Sequence, residues 1–120
     1  MQSTELQAFD TLAVEHGISI ANRRLIMIEP GGYGGNHTHL HKELIVCLSG
    51  TPVFMTRSKD GKIIETPMKP DGDGKLQVFL VTDDAPHAVI NTGDETAILF
   101  EIQSADTTNT TPLMGSDSFV

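Results

Sequence analysis

Tryptophan is absent from the 120 residues, tyrosine and cysteine occur once each, and basic residues are half as numerous as acidic ones. Each shortage removes a class of protein. The single Cys47 excludes an intrachain disulfide. It lies in the apolar run LIVCL with no lysine or arginine close by to stabilise a thiolate, so it reads as a small buried hydrophobe and not as a nucleophile. Eight basic against sixteen acidic residues give a formal charge of -8, which argues against nucleic acid as a partner of the surface as a whole. No apolar run approaches the ~18 residues of a membrane-spanning helix. The start MQSTELQAFD lacks the basic region and apolar core of a signal peptide. The expectation is a soluble, cytoplasmic protein with neither nucleic acid nor membrane among its partners. Without a break in composition it is one domain, long enough to bury roughly two thirds of the surface its unfolded chain exposes.

Helical periodicity is missing too. The opening segment LQAFDTLAVEHG carries apolar residues at Leu6, Phe9, Leu12 and Val14, a spacing that fits neither period, so residues 1–17 are expected to form an irregular arm or an edge strand. Turn chemistry between short apolar runs is abundant instead. ISIANRRLIMIEP predicts a strand over residues 18–29 that stops at Pro30-Gly31-Gly32. ELIVCLSG is apolar on both faces and must be covered on both, with a second subunit as one candidate cover. VFMTRS and Ile63 to Thr66 flank Lys59-Asp60-Gly61-Lys62, a hairpin turn whose Asp-Gly pair tolerates positive φ. PMKPDGDGK is a surface loop, and KLQVFLVT, HAVIN and TAILFEIQ follow as strands. This many short strands with little or no helix mean an all-β antiparallel sandwich or barrel over residues 18–104. Residues 105–120, ADTTNTTPLMGSDSFV, are expected to be a polar tail, mobile or loosely docked.

The chemistry concentrates between Gly31 and Gly50, GGYGGNHTHLHKELIVCLSG. His37, His39, His41 and Glu43 are spaced by two, so on one extended strand all four side chains share a face. Neutral imidazoles and a carboxylate are donors for a divalent transition metal such as Fe, Mn, Ni, Cu or Zn. One strand does not close such a site, because same-face residues stand ~6.5 Å apart whereas ligands converge within ~2 Å of an ion. At least one ligand must come from another strand, and His87 is the candidate. Tyr33, in the glycine-rich approach, is a candidate pocket or acid/base residue, against a plain packing role in the turn. Arg23, Arg24 and Arg57 read as strand arginines on a solvated face, with binding of an anionic substrate as the alternative. His16 has no partner in sequence and reads as a surface histidine.

These residues resemble a known family. Gly31, His37-Thr38-His39, Glu43 and Gly50 stand at the defined positions of the first cupin motif, and His87 followed by Asn91 matches the end of the second. The resemblance implies a double-stranded β-helix, the jelly-roll barrel of cupins, with one divalent transition metal held by His37, His39, Glu43 and His87. His41 is then extra to the ligand set, a candidate for a supporting or catalytic role in the pocket, with simple exposure at the rim as the alternative. Two positions depart from the second motif: Thr82 and Asp84 stand where a proline and a glycine are usual, and Pro86 directly precedes His87. A looser likeness, carried by FMTRSKDGKIIE and PHAVINTGDE, is to cupins of capsular-polysaccharide and nucleotide-sugar metabolism, some of which work without a metal.

Four protein ligands leave one or two open positions on an octahedral ion, the arrangement of a catalytic rather than a closed structural site. The leading expectation is a metal-dependent enzyme of isomerase, lyase or dioxygenase type, acting on a small oxygenated metabolite, carbohydrate-derived ones among the candidates. The alternatives are a metal-free nucleotide-sugar isomerase or epimerase, with His39 or His41 as the base, and a non-catalytic small-molecule-binding module. The LIVCL run and the family's habit of pairing through its sheets imply a homodimer. The loop from Pro67 to Lys75 and the tail are the places where substrate identity would be decided.

Overall fold

The computed structural model describes residues 3–70, 77–82, 84–104 and 110–120. Among them the chain forms one α-helix, α1 (Ser3–Glu15), and the strands β1 (Asn22–Ile28), β2 (Tyr33–His39), β3 (Glu43–Ser49), β4 (Val53–Arg57), β5 (Ile63–Pro67), β6 (Phe79–Val81), β7 (His87–Ile90), β8 (Ala97–Gln103) and β9 (Thr110–Pro112). A single 3-10 turn covers Gly115–Asp117. The strands form two antiparallel sheets, ordered β1-β8-β3-β6 and β5-β4-β7-β2-β9, that close as a double-stranded β-helix. No helix among the described residues is long and apolar enough to cross a membrane.

The four-stranded sheet explains why the site lies at one end of the barrel. Its register sets the inward side chains in rows across the strands: Asn22, Gln103, Glu43 and Val81; then Arg24, Glu101, Ile45 and Phe79; then Ile26, Leu99 and Cys47; then Ile28 and Ala97. Polarity falls from the first row to the last. The apolar rows join Phe54, Met68 and Val89 in one buried core, which fills the closed end and leaves the polar rows at the other. Gly50, where the chain leaves β3, is required there: a Cβ would lie 2.9 Å from Ala97 Cα, and its φ of 87° is left-handed.

Residues 3–15 are helical, not the arm or edge strand that the apolar spacing implied. Phe9 and Ala13, with Leu12 beside them, make the buried stripe, while Val14 points to solvent. Alanine therefore carries a position that a count of large apolar residues passes over. The helix ends in a left-handed glycine, Gly17, with Gly17 N donating to Val14 O at 3.0 Å and Ile18 N to Ala13 O at 2.9 Å. It docks on the outer face of β3 and β8, where Phe9, Ala13 and Ile18 pack with Leu44, Val46, Phe100 and Ile102. The second cover of the LIVCL run is thus the chain's own helix, which removes that run as a reason to expect a partner subunit.

Of the two states expected for the tail, mobile or loosely docked, the last eleven residues take the docked one. β9 adds to the edge of β2, pairing Thr110 with His39 and Pro112 with His37. The hairpin between β4 and β5 matches its sequence signature, with Gly61 at φ 85°. Most of the loop from Pro67 to Lys75, the start of the KLQVFLVT strand and the first residues of the tail lie outside the described residues.

Candidate metal centre

His37, His39, His41 and Glu43 do not share one strand. β2 ends at His39, the chain bends through Leu40 and His41, and β3 begins at Glu43 in the opposite sheet. The spacing by two therefore brings donors together by folding the stretch around the barrel mouth, not by lining up one face. Near the start of this stretch Asn36 takes a left-handed φ of 62° beside a register shift between Gly35 and His37. After the bulge His37 pairs directly with His87 on β7.

The turn before His87 absorbs the departures from the second motif. Asp84 adopts φ 61°, the left-handed conformation a glycine would supply, and its N–H donates to His39 O at 2.7 Å. Ala85 N donates to Thr82 O at 3.2 Å. After β7, Asn91 is fully buried and donates from Nδ2 to Ile28 O and Glu95 O, both at 2.8 Å. Asn91 thus anchors the following turn and is a structural residue.

One donor atom from each of His37, His39, Glu43 and His87 lies within 4.8 Å of the others. Two backbone carbonyls settle the tautomers. His39 Nδ1 faces His41 O at 2.9 Å and His87 Nδ1 faces Ala85 O at 2.9 Å; a carbonyl oxygen only accepts, so each Nδ1 carries the proton. Both Nε2 atoms then turn to Glu43 Oε1, at 2.6 Å from His39 and 3.3 Å from His87. The other carboxylate oxygen accepts from Gln103 Nε2 at 2.7 Å, and Gln103 Oε1 accepts in turn from Asn22 Nδ2 at 3.1 Å. Imidazoles whose Nδ1–H groups are held by carbonyls, converging on an oriented carboxylate, are what a divalent transition metal requires, and the donor set fits one.

The electrostatics follow from burial. Burial alone would raise the Glu43 pKa, but hydrogen bonds from His39, His87 and Gln103 outweigh it and hold the carboxyl well below the usual range. For His39 burial pulls downward, while the hydrogen bond and charge of Glu43 prevail and raise it. His37, which lacks such a partner, is lowered to about 4 by burial and by the charges of His87 and His39. Glu101 is pushed up to about 7, first by burial and then by the Glu43 charge, against the opposing Arg24 guanidinium.

Two further side chains of the histidine stretch stand apart from these four. His41 stacks on His39, ring centroids 3.7 Å apart, and its buried Nε2 has no partner among the described residues. Tyr33 is 53% exposed and outside the cavity onto which the cluster opens. The arginines divide. Arg23 is a surface residue paired with Asp10 at 2.8 Å. Arg57 is held by the tail, donating from Nη2 to Ser116 O at 3.1 Å and lying 5.2 Å from the Phe119 ring centroid. Arg24, however, lines the same cavity as His37, Glu43 and His87 and donates to buried Glu101 at 3.0 Å. Glu101, Gln103 and Asn22 are polar residues of the site that the motif does not name. The signal for Glu101 and Gln103 in sequence was a glutamate and a glutamine in the otherwise apolar AILFEIQ, whereas Asn22 carried none. Cys47 is buried, and burial raises its thiol pKa.

A double-stranded β-helix with three histidines and a glutamate gathered at its mouth defines the class of protein: a small barrel with a candidate metal centre. The chain belongs to the cupin family, whose domain model matches residues 24–103. No curated protein matches it significantly in sequence. Among solved structures it is similar to the capsular-polysaccharide-assembling protein CapF of Staphylococcus aureus, at 23% identity and a TM-score of 0.69, over 82% of this chain and 29% of that one. NovW, a 4-keto-6-deoxy sugar epimerase of Streptomyces spheroides, aligns at 13% identity and a TM-score of 0.70, over 92% and 62%. An oxalate oxidase in complex with glycolate aligns at 19% and 0.62, over 79% and 49%. These likenesses are of fold, and the chain spans less than a third of CapF.

Proposed function

We propose that the protein is a metal-dependent cupin enzyme of isomerase, lyase or dioxygenase type, acting on a small oxygenated metabolite, carbohydrate-derived ones among the candidates. One observation carries this reading: His39 and His87 both give their Nδ1–H to backbone carbonyls and turn Nε2 toward the same oxygen of Glu43. Such an arrangement stabilises little by itself, since it buries two imidazoles against one carboxylate, and it suits ligands held ready for an ion. His37, His39, Glu43 and His87 would hold the metal, which supplies Lewis-acid chemistry to a bound substrate oxygen. Gln103 orients the carboxylate, and the carbonyls of His41 and Ala85 fix the two rings. The test is metal analysis of protein purified without a metal-binding tag. One equivalent per chain that disappears in His39→Ala is expected; a content far below one, unchanged in the variant, overturns the reading.

A second reading is a metal-free nucleotide-sugar isomerase or epimerase, favoured by the 2.6 Å contact of His39 with Glu43, which is also the geometry of a proton-transfer dyad. Activity indifferent to chelators with saturable binding of a nucleotide sugar selects it. We also propose a cytoplasmic homodimer. Its support is the outer side of edge strand β1, where Leu25 and Met27 are 68% and 71% exposed. A monomer mass by light scattering at micromolar concentration overturns that assembly.

A further inference from the structure

Arg24 and Glu101 are register partners on β1 and β8, in the inward row next to the one that holds Glu43. Arg24 donates from Nη2 to Glu101 Oε1, while its Nε is buried without an acceptor among the described residues. An unpaired buried donor is costly, and an arginine kept only for its partner would be expected to close both hydrogen bonds of the fork. Arg24 lines a small cavity of about 20 Å³, open to solvent, that also borders His37, Glu43 and His87. The remaining wall is apolar or bare: Ile26, Val89 and Leu99, with Gly34 and Gly35 presenting no side chain. The cavity thus has two polar poles, the metal ligands and Arg24.

We propose that Arg24 is the substrate anchor of this cavity and that the substrate is a small carboxylic acid bearing a hydroxyl or carbonyl oxygen, sugar acids included. This inference rests on the metal reading above. With a divalent ion in place, the ion and Arg24 exceed Glu43 and Glu101 by one positive charge, so the pocket favours an anion. A carboxylate matches the fork of the guanidinium, and a second oxygen on the same molecule reaches the ion. The small volume, the apolar walls and the missing glycine side chains restrict the substrate to a short carbon skeleton that reaches both poles from the open mouth.

The experiment uses protein loaded with Co²⁺, whose visible spectrum reports coordination, titrated with glycolate and with the neutral diol ethylene glycol. Wild type is expected to bind glycolate saturably and ethylene glycol far more weakly. Arg24→Gln should weaken glycolate at least tenfold with cobalt content unchanged, and Arg24→Lys should weaken it less. Equal glycolate affinity in wild type and Arg24→Gln overturns the anchor, as does indifference of the wild type to charge. Should Arg24→Gln fail to hold cobalt, Glu101→Gln decides, since it frees the guanidinium: tighter glycolate binding supports the anchor and an unchanged or weaker one overturns it. Failure of the wild type to bind cobalt at all overturns the metal reading and the anchor with it, whereas cobalt binding with glycolate indifferent to residue 24 overturns the anchor alone.

Discussion

Gln103 Nε2 donates to Glu43 Oε2 at 2.7 Å, and the two residues face each other as register partners on β8 and β3. Because Asn22 donates to the Gln103 carbonyl oxygen, the amide cannot turn over without losing both contacts. A chain of hydrogen bonds therefore runs from Asn22 through Gln103 and Glu43 to His39. It holds the carboxylate where a ligand is needed before any ion arrives.

Gln103→Met removes that donor at nearly constant volume. Metal affinity is expected to fall by about 10- to 100-fold, the usual cost of losing a group that orients a ligand. Competition with a chromophoric chelator measures it. An affinity within twofold of wild type would mean that Glu43 is oriented by its own rotamer.

Metal binding should release a proton that belongs to His39. Its pKa is raised by Glu43, so in mildly acidic solution, below the ordinary imidazole value, the ring carries a proton on Nε2 that an ion must displace. His37, lowered to about 4, is already neutral there and contributes none. The sign follows: proton release grows and metal affinity drops as pH falls through the raised His39 value. Titration calorimetry of the metal in buffers of different ionisation enthalpy reads the number directly, and about one proton at pH 6 is expected, fading at higher pH. No release at pH 6 would contradict the His39 assignment.

The histidine cluster was legible because its residues are rare types at a fixed spacing, and the barrel because turn residues punctuate short apolar runs. The inward placement of Arg24, Glu101 and Gln103 was not, since which face a polar residue of β1 or β8 takes depends on a register that only pairing of distant strands defines. Arg24 and Arg23 are adjacent in sequence yet one enters the cavity and the other meets solvent. The bend at Leu40 and His41 was hidden for a different reason: spacing by two reads as one strand whether or not the chain changes sheet. The helix was hidden by Ala13, which is fully buried but too small to register as an anchor.

Phe9 tests what that helix does. Its ring lies 5.4 Å from Phe100 in the cluster that covers β3 and β8. Phe9→Ala should cost about 3 kcal/mol of stability, the low end for a buried phenylalanine because the site is near the surface of the domain. Chemical denaturation measures the loss, and metal stoichiometry should stay at the wild-type value, since the helix packs on the outer face of the sheet. Loss of metal together with stability would show that the helix also sets the position of Glu43.

Asn36 joins the tail to the ligand strand, and two substitutions separate its roles. Its Nδ2 donates to Ser118 Oγ at 3.0 Å, its Oδ1 accepts from Phe119 N at 2.8 Å, and its backbone oxygen accepts from Leu113 N at 2.9 Å. Glycine at this position keeps the left-handed backbone and deletes only the two side-chain contacts, at about 1 kcal/mol each. Leucine deletes the same contacts and adds about 1–2 kcal/mol for forcing a branched side chain into φ 62°. The expected order of denaturation midpoints is therefore wild type, then Asn36→Gly, then Asn36→Leu. Because β9 pairs with His37 and His39, the same order is expected for metal affinity, with the larger step at Asn36→Leu, where the bulge that aims His37 is itself strained. If Asn36→Gly loses stability but keeps full metal affinity while Asn36→Leu loses both, the bulge and not the tail positions His37. If both variants keep full affinity, the ligand geometry is set by the pairing of β2 with β7 alone.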